Sequence, residues 1–522
     1  MKLNDTALIN HQQWLQQGFR LPEYNRTAVR EQTLKSPVWV HLGAGNIFRA
    51  FLCALQDDLL DKGLTGTGII VAEGYDEELI EKAYLPFDSL SVLAVLKANG
   101  SVDKRVLGSV ACALNIASGH GPDWEKLKDA FSSPTLQMVS FTITEKGYAD
   151  SADNSLMGKT AALCLHRYKS GAHPLALTSM DNCSHNGERL RSAFLQIASR
   201  WVTDGLAAPG FLNYLEDETK VSFPWTMIDK ITPRPDESVQ AMLKSTGFED
   251  TDVIITSKRT YTAAFVNAEE AQYLVVEDRF PNGRPPLHLA GVLFADRDTV
   301  NLAEKMKVGT CLNPLHTALA VLGCLLRHTS IHAEMKDDDL KRLVNHLGHV
   351  EGMPVVADPK MIKPADFLNE VLNIRFPNPF LPDTPQRIAT DTSQKLPIRF
   401  GETLKAYQSR PDLDITSLTV IPLVFAAWLR YLMGIGDDGK PFDLSPDPLL
   451  YKLQPVVGKI SLGDKGPFHE LLHPIISDAS LFGVNLYKAG LGEKVEGYLT
   501  RMVSGPGAVR ELLHETVSSF RY

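Results

Sequence analysis

The chain has 522 residues, a formal net charge of −9 and a hydrophobic fraction of 44%. This length exceeds what one hydrophobic core supports, so we expect two domains. The acidic balance argues against a nucleic-acid partner and against binding to an anionic membrane, because both require a basic face.

The start of the chain and its cysteines predict where the protein works. Residues 1–17 are polar and lack the apolar segment of a signal peptide. The longest apolar run, residues 418–429, is interrupted by Pro422 and is too short to span a bilayer. The six cysteines have no paired spacing, which predicts neither a disulfide framework nor a cysteine zinc site. We therefore expect a cytoplasmic protein with reduced thiols.

Short apolar runs alternate with helical patterns through the first half of the chain. The predicted strands are residues 38–42, 68–72, 137–143, 175–180, 253–256 and 273–276. Between the first two, a helical stripe carries Phe48, Phe51, Leu52, Leu55 and Leu59 and ends at Gly63. Strands interleaved with helices predict an α/β fold with a doubly wound, mostly parallel, Rossmann-like sheet.

The pattern changes after about residue 296. Helical periodicity continues, as in Leu315, Leu319, Leu322 and Leu326, but convincing strands do not. We expect residues 1–296 to form the Rossmann-like domain and residues 297–522 a mostly α-helical domain. The active site is then expected in the cleft between them.

A glycine-containing loop joins the first predicted strand to the first predicted helix. It reads H-L-G-A-G-N-I-F-R-A-F from residue 41. Gly43 permits a tight turn and Gly45 lets the backbone approach a pyrophosphate at the helix N-terminus. Phe48 replaces the third glycine of the usual fingerprint, so a structural turn is the alternative. The strand–loop–helix context favours nucleotide binding, with Asn46 and Ile47 beside the cofactor.

An acidic pair follows the second predicted strand. A carboxylate at Glu73 or Asp76 accepts hydrogen bonds from ribose hydroxyls and repels a 2′-phosphate, which favours NAD over NADP. The alternative is a solvated acidic loop.

Chemically active side chains are concentrated in E-K-M-K-V-G-T-C-L-N-P-L-H, residues 304–316. Pro314 suits the first helical position, which makes Asn313 the predicted N-cap and places His316 in the first turn. Spacing alone leaves the alternative that Asn313 only caps the helix and Lys307 is a solvated surface lysine.

Five sequence blocks together resemble the mannitol dehydrogenase family of long-chain, metal-independent polyol and sugar-acid dehydrogenases. They are G-A-G-N-I-F-R-A-F from residue 43, T-I-T-E-K-G-Y (142–148), M-D-N-C-S-H-N-G (180–187), F-P-W-T-M-I-D-K-I-T-P (223–233) and the 304–316 block. Two further stretches, E-D-R-F-P-N-G-R-P from residue 277 and D-T-P-Q-R-I-A-T-D-T-S-Q-K-L-P from residue 383, also fit.

The resemblance implies a role for each matching residue. Lys307 is the general base, the amides of Asn182 and Asn313 hold the developing oxyanion, and Glu304 serves proton exit. The implied substrate contacts are His316, Arg387, Lys395 and Asp229. A lysine of pKa about 10.4 becomes a base near neutral pH when burial or a neighbouring positive charge lowers its pKa. Two amide donors then stabilise the alkoxide-like oxygen in place of a metal ion.

One departure from the family affects the base. The family usually has four residues between the lysine and the asparagine, whereas five separate Lys307 from Asn313. Either the loop bulges by one residue, or Lys305 or another group supplies the base.

A competing motif lies near the end of the chain. His469, Glu470 and His473 form H-E-L-L-H, the two-histidine helix of zinc peptidases, and Glu493 is a possible third ligand. Pro474 disfavours helical geometry at His473, which argues against that reading. A nucleotide-sensing protein without catalytic activity is a further alternative. Loss of Lys307 would favour it, but the lysine is present.

The expected substrate is a small sugar acid or polyol. The stretch L-N-P-L-H-T-A-L (312–319) and the stretch from residue 378 to 395 are most similar to the fructuronate reductase (mannonate oxidoreductase) members, which implies D-mannonate and D-fructuronate. Mannitol, arabinitol and altronate or tagaturonate are the alternatives within the family. Arg387 and Lys395 suit a carboxylate, and we expect a monomer or a homodimer.

Overall fold

The computed structural model describes residues 1–149 and 151–520. The chain divides into two compact units, one spanning Met1–Asn301 and the other beginning at Leu302. The strands are β1 (Phe19–Arg20), β2 (Trp39–Leu42), β3 (Ile69–Glu73), β4 (Ser91–Leu96), β5 (Val102–Leu107), β6 (Val110–Asn115), β7 (Met138–Phe141), β8 (Leu175–Ser179), β9 (Val221–Ser222), β10 (Thr226–Asp229), β11 (Ile254–Ile255), β12 (Tyr261–Thr262), β13 (Phe265–Glu269), β14 (Tyr273–Glu277) and β15 (Leu293–Ala295).

The helices up to residue 306 are α1 (Asp5–Leu8), α2 (His11–Gln16), α3 (Arg26–Lys35), α4 (Cys53–Asp61), α5 (Glu78–Ala83), α6 (Pro122–Ser132), α7 (Thr144–Ala149), α8 (Leu156–Lys169), α9 (Asn186–Thr203), α10 (Pro209–Glu216), α11 (Glu237–Ser245) and α12 (Arg297–Met306). The later helices are α13 (Asn313–Leu325), α14 (Ile331–Glu334), α15 (Asp338–His346), α16 (Pro364–Glu370), α17 (Pro385–Ile388), α18 (Thr392–Arg399), α19 (Gly401–Ser409), α20 (Val420–Tyr431), α21 (Leu450–Val457), α22 (His469–Ile476), α23 (Ala479–Phe482), α24 (Gly492–Met502) and α25 (Ala508–Ser518). Among the described residues there are also four π-helical turns, at Phe48–Leu52, Lys307–Cys311, Leu347–Gly352 and Val371–Arg375.

The first unit is built on a six-stranded parallel sheet of order β6-β3-β2-β7-β8-β9. Numbered from β2 along the chain, this is the 3-2-1-4-5-6 order of a Rossmann fold. Successive residues of β2 face opposite sides: Val40 and Leu42 join one apolar cluster, whereas Trp39 joins another. The first cluster includes residues of α6, α8, α9 and α10, and the second includes residues of α4 and α5. The predicted doubly wound α/β fold is confirmed.

Two of the predicted strands lie outside this sheet. The prediction of a buried strand at 253–256 is wrong: β11 has two residues, Ile255 is 54% exposed, and β11 pairs only with β12. The predicted strand at 273–276 exists as β14, but it pairs antiparallel with β10 and parallel with β15. Sequence hydrophobicity predicts that an apolar run is a strand, but the partner strand is chosen by tertiary packing.

The second unit is helical, and no strand follows Ala295 in the part of the chain that the structure describes. Every residue of α20 is buried, and α20 packs against α13 and α24. The apolar run at 418–429 is therefore a core helix, because a helix that is apolar on all sides requires burial on all sides.

One helical stretch of the described residues, Arg297–Leu325, is long and apolar enough to cross a membrane by length and composition. It comprises α12, the π turn at Lys307–Cys311 and α13. Within its most apolar window 72% of the residues are buried inside the protein. Core helices pass the same test, so this stretch is weak evidence for a membrane span.

Candidate active site

The carboxyl ends of β2 and β7 lie side by side where the strand order of the parallel sheet reverses. In open α/β sheets ligands bind at this position, outside the carboxyl ends of the strands. Leu42 pairs with Phe141, and the chain leaves these strands through Gly43 and Thr142. The glycine loop predicted from the sequence therefore lies at the expected ligand-binding edge.

The two glycines of this loop are required for different reasons. Gly43 has φ 107°, and a Cβ there would lie 2.3 Å from the Thr142 carbonyl oxygen. No side chain fits such a position, since both the backbone conformation and the close approach exclude one. A Cβ on Gly45 would meet nothing within 4 Å, so Gly45 borders open space. The loop thus has room for a ligand at Gly45 but none at Gly43.

Phe48, the departure from the usual glycine fingerprint, has a structural cause. The third glycine normally allows close packing of helix and strand. Here Phe48 is fully buried and stacks on His41 of β2 with ring centroids 4.2 Å apart. His41 in turn contacts the hydroxyls of Ser140 and Thr142, 2.6 and 2.9 Å away. Burial lowers the pKa of His41 to about 3, so the ring is neutral and stabilises the β2–β7 junction.

Asn46 opens the helix after the loop, with Ile47 half-buried beside it. The Asn46 amide donates to the Tyr261 carbonyl and accepts from Arg49, at 3.2 and 3.0 Å. Arg49 is 1% exposed, and it also donates to the Thr262 hydroxyl and the Ala263 carbonyl. Burial lowers the pKa of Arg49. A buried cation one turn into the helix adds positive potential at the end where the helix dipole already attracts anions.

Glu73 is placed at the carboxyl end of β3, and its carboxylate is occupied by backbone groups. One oxygen accepts from the Ala44 N–H at 2.8 Å, and the other from the N–H groups of Tyr75 and Asp76 at 2.8 and 3.0 Å. Glu73 is 5% exposed. Asp76 is also buried and accepts from the hydroxyls of Thr256 and Thr260. Both acids therefore shape the loops around the ligand-binding edge in this structure.

Asp181 and Asn186 together join three of the sequence blocks at the next strand end. Its carboxylate accepts from the N–H groups of Ile143 and Thr144, at 3.0 and 2.9 Å, and from the Tyr148 hydroxyl. Its neighbour Asn182 is exposed. Asn186 is fully buried and bonds to the backbone and hydroxyl of Thr226, at the start of β10. That strand ends at Asp229, which is 6% exposed.

Two lysines at the end of α12 differ in burial. Lys305 is exposed, whereas Lys307 is 2% exposed. Glu304, one helical turn before Lys307, is half-buried. Lys307 begins the π turn Lys307–Cys311, and its carbonyl accepts from the N–H of Leu312 at 3.1 Å. A π turn holds one residue more than an α turn, and this one lies between Lys307 and Asn313, where the sequence has its additional residue.

Asn313 does not cap its helix, and the predicted N-cap is wrong by one residue. Leu312 is the N-cap, Asn313 is the first helical residue, and no side chain caps the helix. Proline is tolerated anywhere in the first turn, so Pro314 fits at the second position as well. The Asn313 carbonyl accepts from the Thr317 hydroxyl at 2.9 Å and from Arg399 at 3.4 Å.

His316 lies in the first turn of α13, as predicted, beside an acid that the sequence did not single out. Its Nε2 is 3.4 Å from an Asp383 carboxylate oxygen, and its ring centroid is 5.1 Å from that of Phe376. The pKa of His316 is well below its usual value because of burial and then the charges of Arg399, Arg387, Arg375 and Lys395. The imidazole is therefore neutral within a group of cations.

The cations near His316 differ in their partners. Arg387 pairs with Asp383, and its side chain is 62% exposed. Lys395 donates to the carbonyls of Ile388 and Thr390, and burial with the nearby Arg399 lowers its pKa to about 8. Arg399 was missed by sequence reasoning, although it follows Lys395 by four residues on α18. That spacing places both on one helix face.

The predicted site residues thus form two groups. One group, in the first unit, contains the glycine loop, Glu73, Asn182 and Asp229; the other, in the second unit, contains the 304–316 block, Arg387 and Lys395.

The H-E-L-L-H motif forms helix α22, so the prediction that Pro474 breaks the helix at His473 is wrong. Pro474 lies inside this helix, where it removes one backbone donor without ending the helix. His469 bonds to Glu496 at 2.9 Å, and His473 stacks on Tyr487 at 4.8 Å. Among residues 1–149 and 151–520, no group of three or more histidine, cysteine or acidic side chains is placed to hold a metal ion.

Two family models match the chain: the mannitol dehydrogenase Rossmann domain over residues 38–289 and the mannitol dehydrogenase C-terminal domain over residues 300–491. D-mannonate oxidoreductase of Thermotoga maritima is 51% identical, over 99% of this chain and 99% of its own. Mannitol 2-dehydrogenase of Pyrenophora tritici-repentis is 29% identical, over 84% of this chain and 75% of its own.

Two solved structures share the fold. Mannitol 2-dehydrogenase of Pseudomonas fluorescens, in a ternary complex with NAD and D-mannitol, has a TM-score of 0.69 at 24% identity and covers 100% of both chains. A substrate-free D-sorbitol dehydrogenase has a TM-score of 0.74 at 21% identity, over 96% of this chain and 97% of its own.

Proposed function

The chain belongs to the mannitol dehydrogenase family, and we propose that it interconverts D-mannonate and D-fructuronate with NAD and without a catalytic metal. The observation that carries this proposal is the 51% identity, over nearly the whole of both chains, to a D-mannonate oxidoreductase. The cations around His316 support it, because a sugar acid brings a negative charge that a polyol lacks.

The residues at the sheet edge fit a dinucleotide. The 3-2-1-4-5-6 strand order, the close approach at Gly43 and the open space at Gly45 match what a pyrophosphate at a helix N-terminus requires. We assign cofactor binding to Gly43, Gly45, Asn46, Ile47 and Glu73, within a domain of residues 1–296. NAD, when bound, accepts the hydride in the oxidative direction.

The second domain, residues 297–522, supplies the base. Lys307 takes the proton of the substrate hydroxyl, and Glu304, one helical turn away, passes it towards solvent. The burial of Lys307, against the exposure of Lys305, supports this choice.

Two amides stabilise the oxygen on which negative charge develops. They belong to Asn182 and Asn313, and such fixed donors act most strongly in the transition state. The side-chain amide of Asn313 does not cap α13, so helix capping does not compete with a bond to the substrate oxygen.

Substrate positioning falls to Asp229, His316, Arg387 and Lys395. A neutral His316 both donates and accepts a hydrogen bond, which suits a sugar hydroxyl. The partner of the protein is then a small molecule. We place this activity in the cytoplasm, in a monomer or homodimer, with neither nucleic acid nor membrane involved.

The test is a panel of D-mannonate, D-altronate, D-mannitol and D-arabinitol, each with NAD and with NADP. The rate is measured from the absorbance of the NADH or NADPH that forms. D-fructuronate with NADH tests the reverse direction. We expect D-mannonate with NAD to give the highest kcat/KM. The relatives that are mannitol dehydrogenases favour the alternative of a polyol substrate, and activity on D-mannitol with none on D-mannonate would establish it. A preference for NADP would refute the cofactor assignment.

A further inference from the structure

Arg399 is a half-buried cation at the end of α18 that no sequence block predicted. Burial lowers its pKa to about 10, which leaves it charged at neutral pH. Among the described residues, no carboxylate lies within ion-pair distance of it. A partly desolvated guanidinium without a counter-ion is costly, unless an anion binds there during function.

One end of the guanidinium is anchored. Its Nη1 donates to the Thr317 hydroxyl at 2.6 Å and to the Asn313 carbonyl at 3.4 Å. Both partners belong to the start of α13, which also carries His316. Arg399 is therefore held beside the two residues, Asn313 and His316, to which the proposed function gives oxyanion and substrate contacts.

The other edge of the guanidinium has no partner. Nε and Nη2 of Arg399 donate to no group in the part of the chain that the structure describes. Neither atom is fully buried, so both can be reached by a ligand from solvent. These two N–H groups point in the same direction from one plane. That geometry matches the two oxygens of a carboxylate.

The neighbouring cations are less suited to this role. Arg387 is largely exposed and already paired with Asp383. The Lys395 ammonium donates to two backbone carbonyls. An ammonium is also a point charge, whereas a guanidinium offers two parallel hydrogen bonds.

We propose that Arg399 binds the carboxylate of the sugar-acid substrate through Nε and Nη2 and thereby sets the preference for sugar acids over neutral polyols. This inference rests on the proposed function. It adds a specificity-determining residue to those that contact the reacting end of the substrate. In D-fructuronate several carbon atoms separate the ketone from the carboxylate, so the two ends of the substrate require separate contacts.

The test compares Arg399→Gln and Arg399→Lys with wild-type enzyme, using D-mannonate as substrate and D-gluconate as a competing carboxylate. A hydrogen-bonded charge contributes about 1.5–3 kcal/mol, so Arg399→Gln should raise KM for D-mannonate about 10- to 150-fold. The inhibition constant of D-gluconate should rise in parallel, while kcat changes by less than about threefold. Arg399→Lys should recover only part of the affinity, because it restores the charge without the paired donors.

The matched control is Arg410→Gln. Arg410 lies in the same unit, is exposed and pairs with Asp412, so its loss should leave KM for D-mannonate unchanged. Melting temperatures establish that each variant is folded. If Arg399→Gln does not fold, Arg399→Lys decides: a raised KM at wild-type melting temperature supports the inference, and an unchanged KM overturns it.

Two other outcomes overturn the inference. A fall in kcat with KM preserved would mean that Arg399 only positions Asn313. An unchanged KM in folded Arg399→Gln, in an enzyme that oxidises D-mannonate, would refute the carboxylate contact and leave the proposed function intact. A wild-type enzyme that oxidises only neutral polyols would refute both. If another sugar acid proves to be the substrate, the same KM comparison is made with that acid.

Discussion

Replacing Lys307 and Lys305 separately by alanine tests which lysine is the base. The two residues lie two positions apart, but Lys305 is exposed and Lys307 is 2% exposed at the start of a π turn. Losing a general base costs about 10²–10⁴ in rate, or roughly 3–5 kcal/mol of activation free energy. Lys305→Ala is a surface substitution that should change the free energy of unfolding by about 0.5 kcal/mol or less. Because Lys305 is exposed and takes no part in the proposed proton transfer, the rate of this variant should stay close to that of wild type.

The assay is single-turnover formation of NADH from D-mannonate at saturating NAD. Lys307→Met is the control for folding, since it keeps most of the buried aliphatic side chain and removes the amine. We expect Lys307→Met to be as inactive as Lys307→Ala but to bind NADH with wild-type affinity. Added methylamine should restore part of the activity of Lys307→Ala, because it supplies the missing base. Full activity in Lys307→Ala together with inactivity in Lys305→Ala would refute the assignment.

Five further predictions concern the glycine loop, Lys395, Glu73 and the dependence on metal. Gly43→Ala should destabilise the protein by at least about 1–3 kcal/mol in thermal unfolding, because of its positive φ and the contact with the Thr142 carbonyl. Gly45→Ala should leave the melting temperature unchanged but weaken NADH binding in a fluorescence titration, since its Cβ enters open space; unchanged affinity would contradict the assigned pyrophosphate site. KM for D-mannonate should rise as pH increases through about 8, where Lys395 loses its proton and positive charge, and Lys395→Arg should abolish this rise. Glu73→Gln should lower both the melting temperature and the ratio of NAD to NADP activity, because its carboxylate joins three backbone N–H groups at the loop; an unaltered ratio would exclude Glu73 from cofactor selection. Activity should survive exhaustive chelation. Loss of activity on chelation, with recovery when zinc is added, would support the zinc-peptidase hypothesis built on His469 and His473.

Local patterns in the sequence were sufficient for the fold class. Apolar runs alternate with 3.6-residue periodicity up to about residue 296, and this pattern corresponds to the parallel sheet and its helices. The pattern did not identify the partners of β11 and β14, because strand pairing depends on residues far away in sequence.

Residue type and spacing also predicted a loop at Gly43 and Gly45 between a strand and a helix, and His316 in the first turn of its helix, and the structure has both. The roles of the 304–316 block came from the family resemblance and stay predictions. The sequence left open how the additional residue before Asn313 is accommodated and which lysine is buried. The burial of Lys307 and the π turn are properties of the packed helix. The same amino-acid sequence is also compatible with an exposed lysine in a regular α-helix.

Hydrogen-bond partners were decided by the tertiary structure alone. Glu73 bonds to the backbone of Ala44, 29 residues away in sequence, and Asp383 reaches His316 from a different segment. Arg399 is held in place by hydrogen bonds to Asn313 and Thr317, which lie 86 and 82 residues earlier. A sequence specifies which groups can donate, accept or carry charge. The distances between them, and the solvent removed around them, exist only once distant segments have packed together.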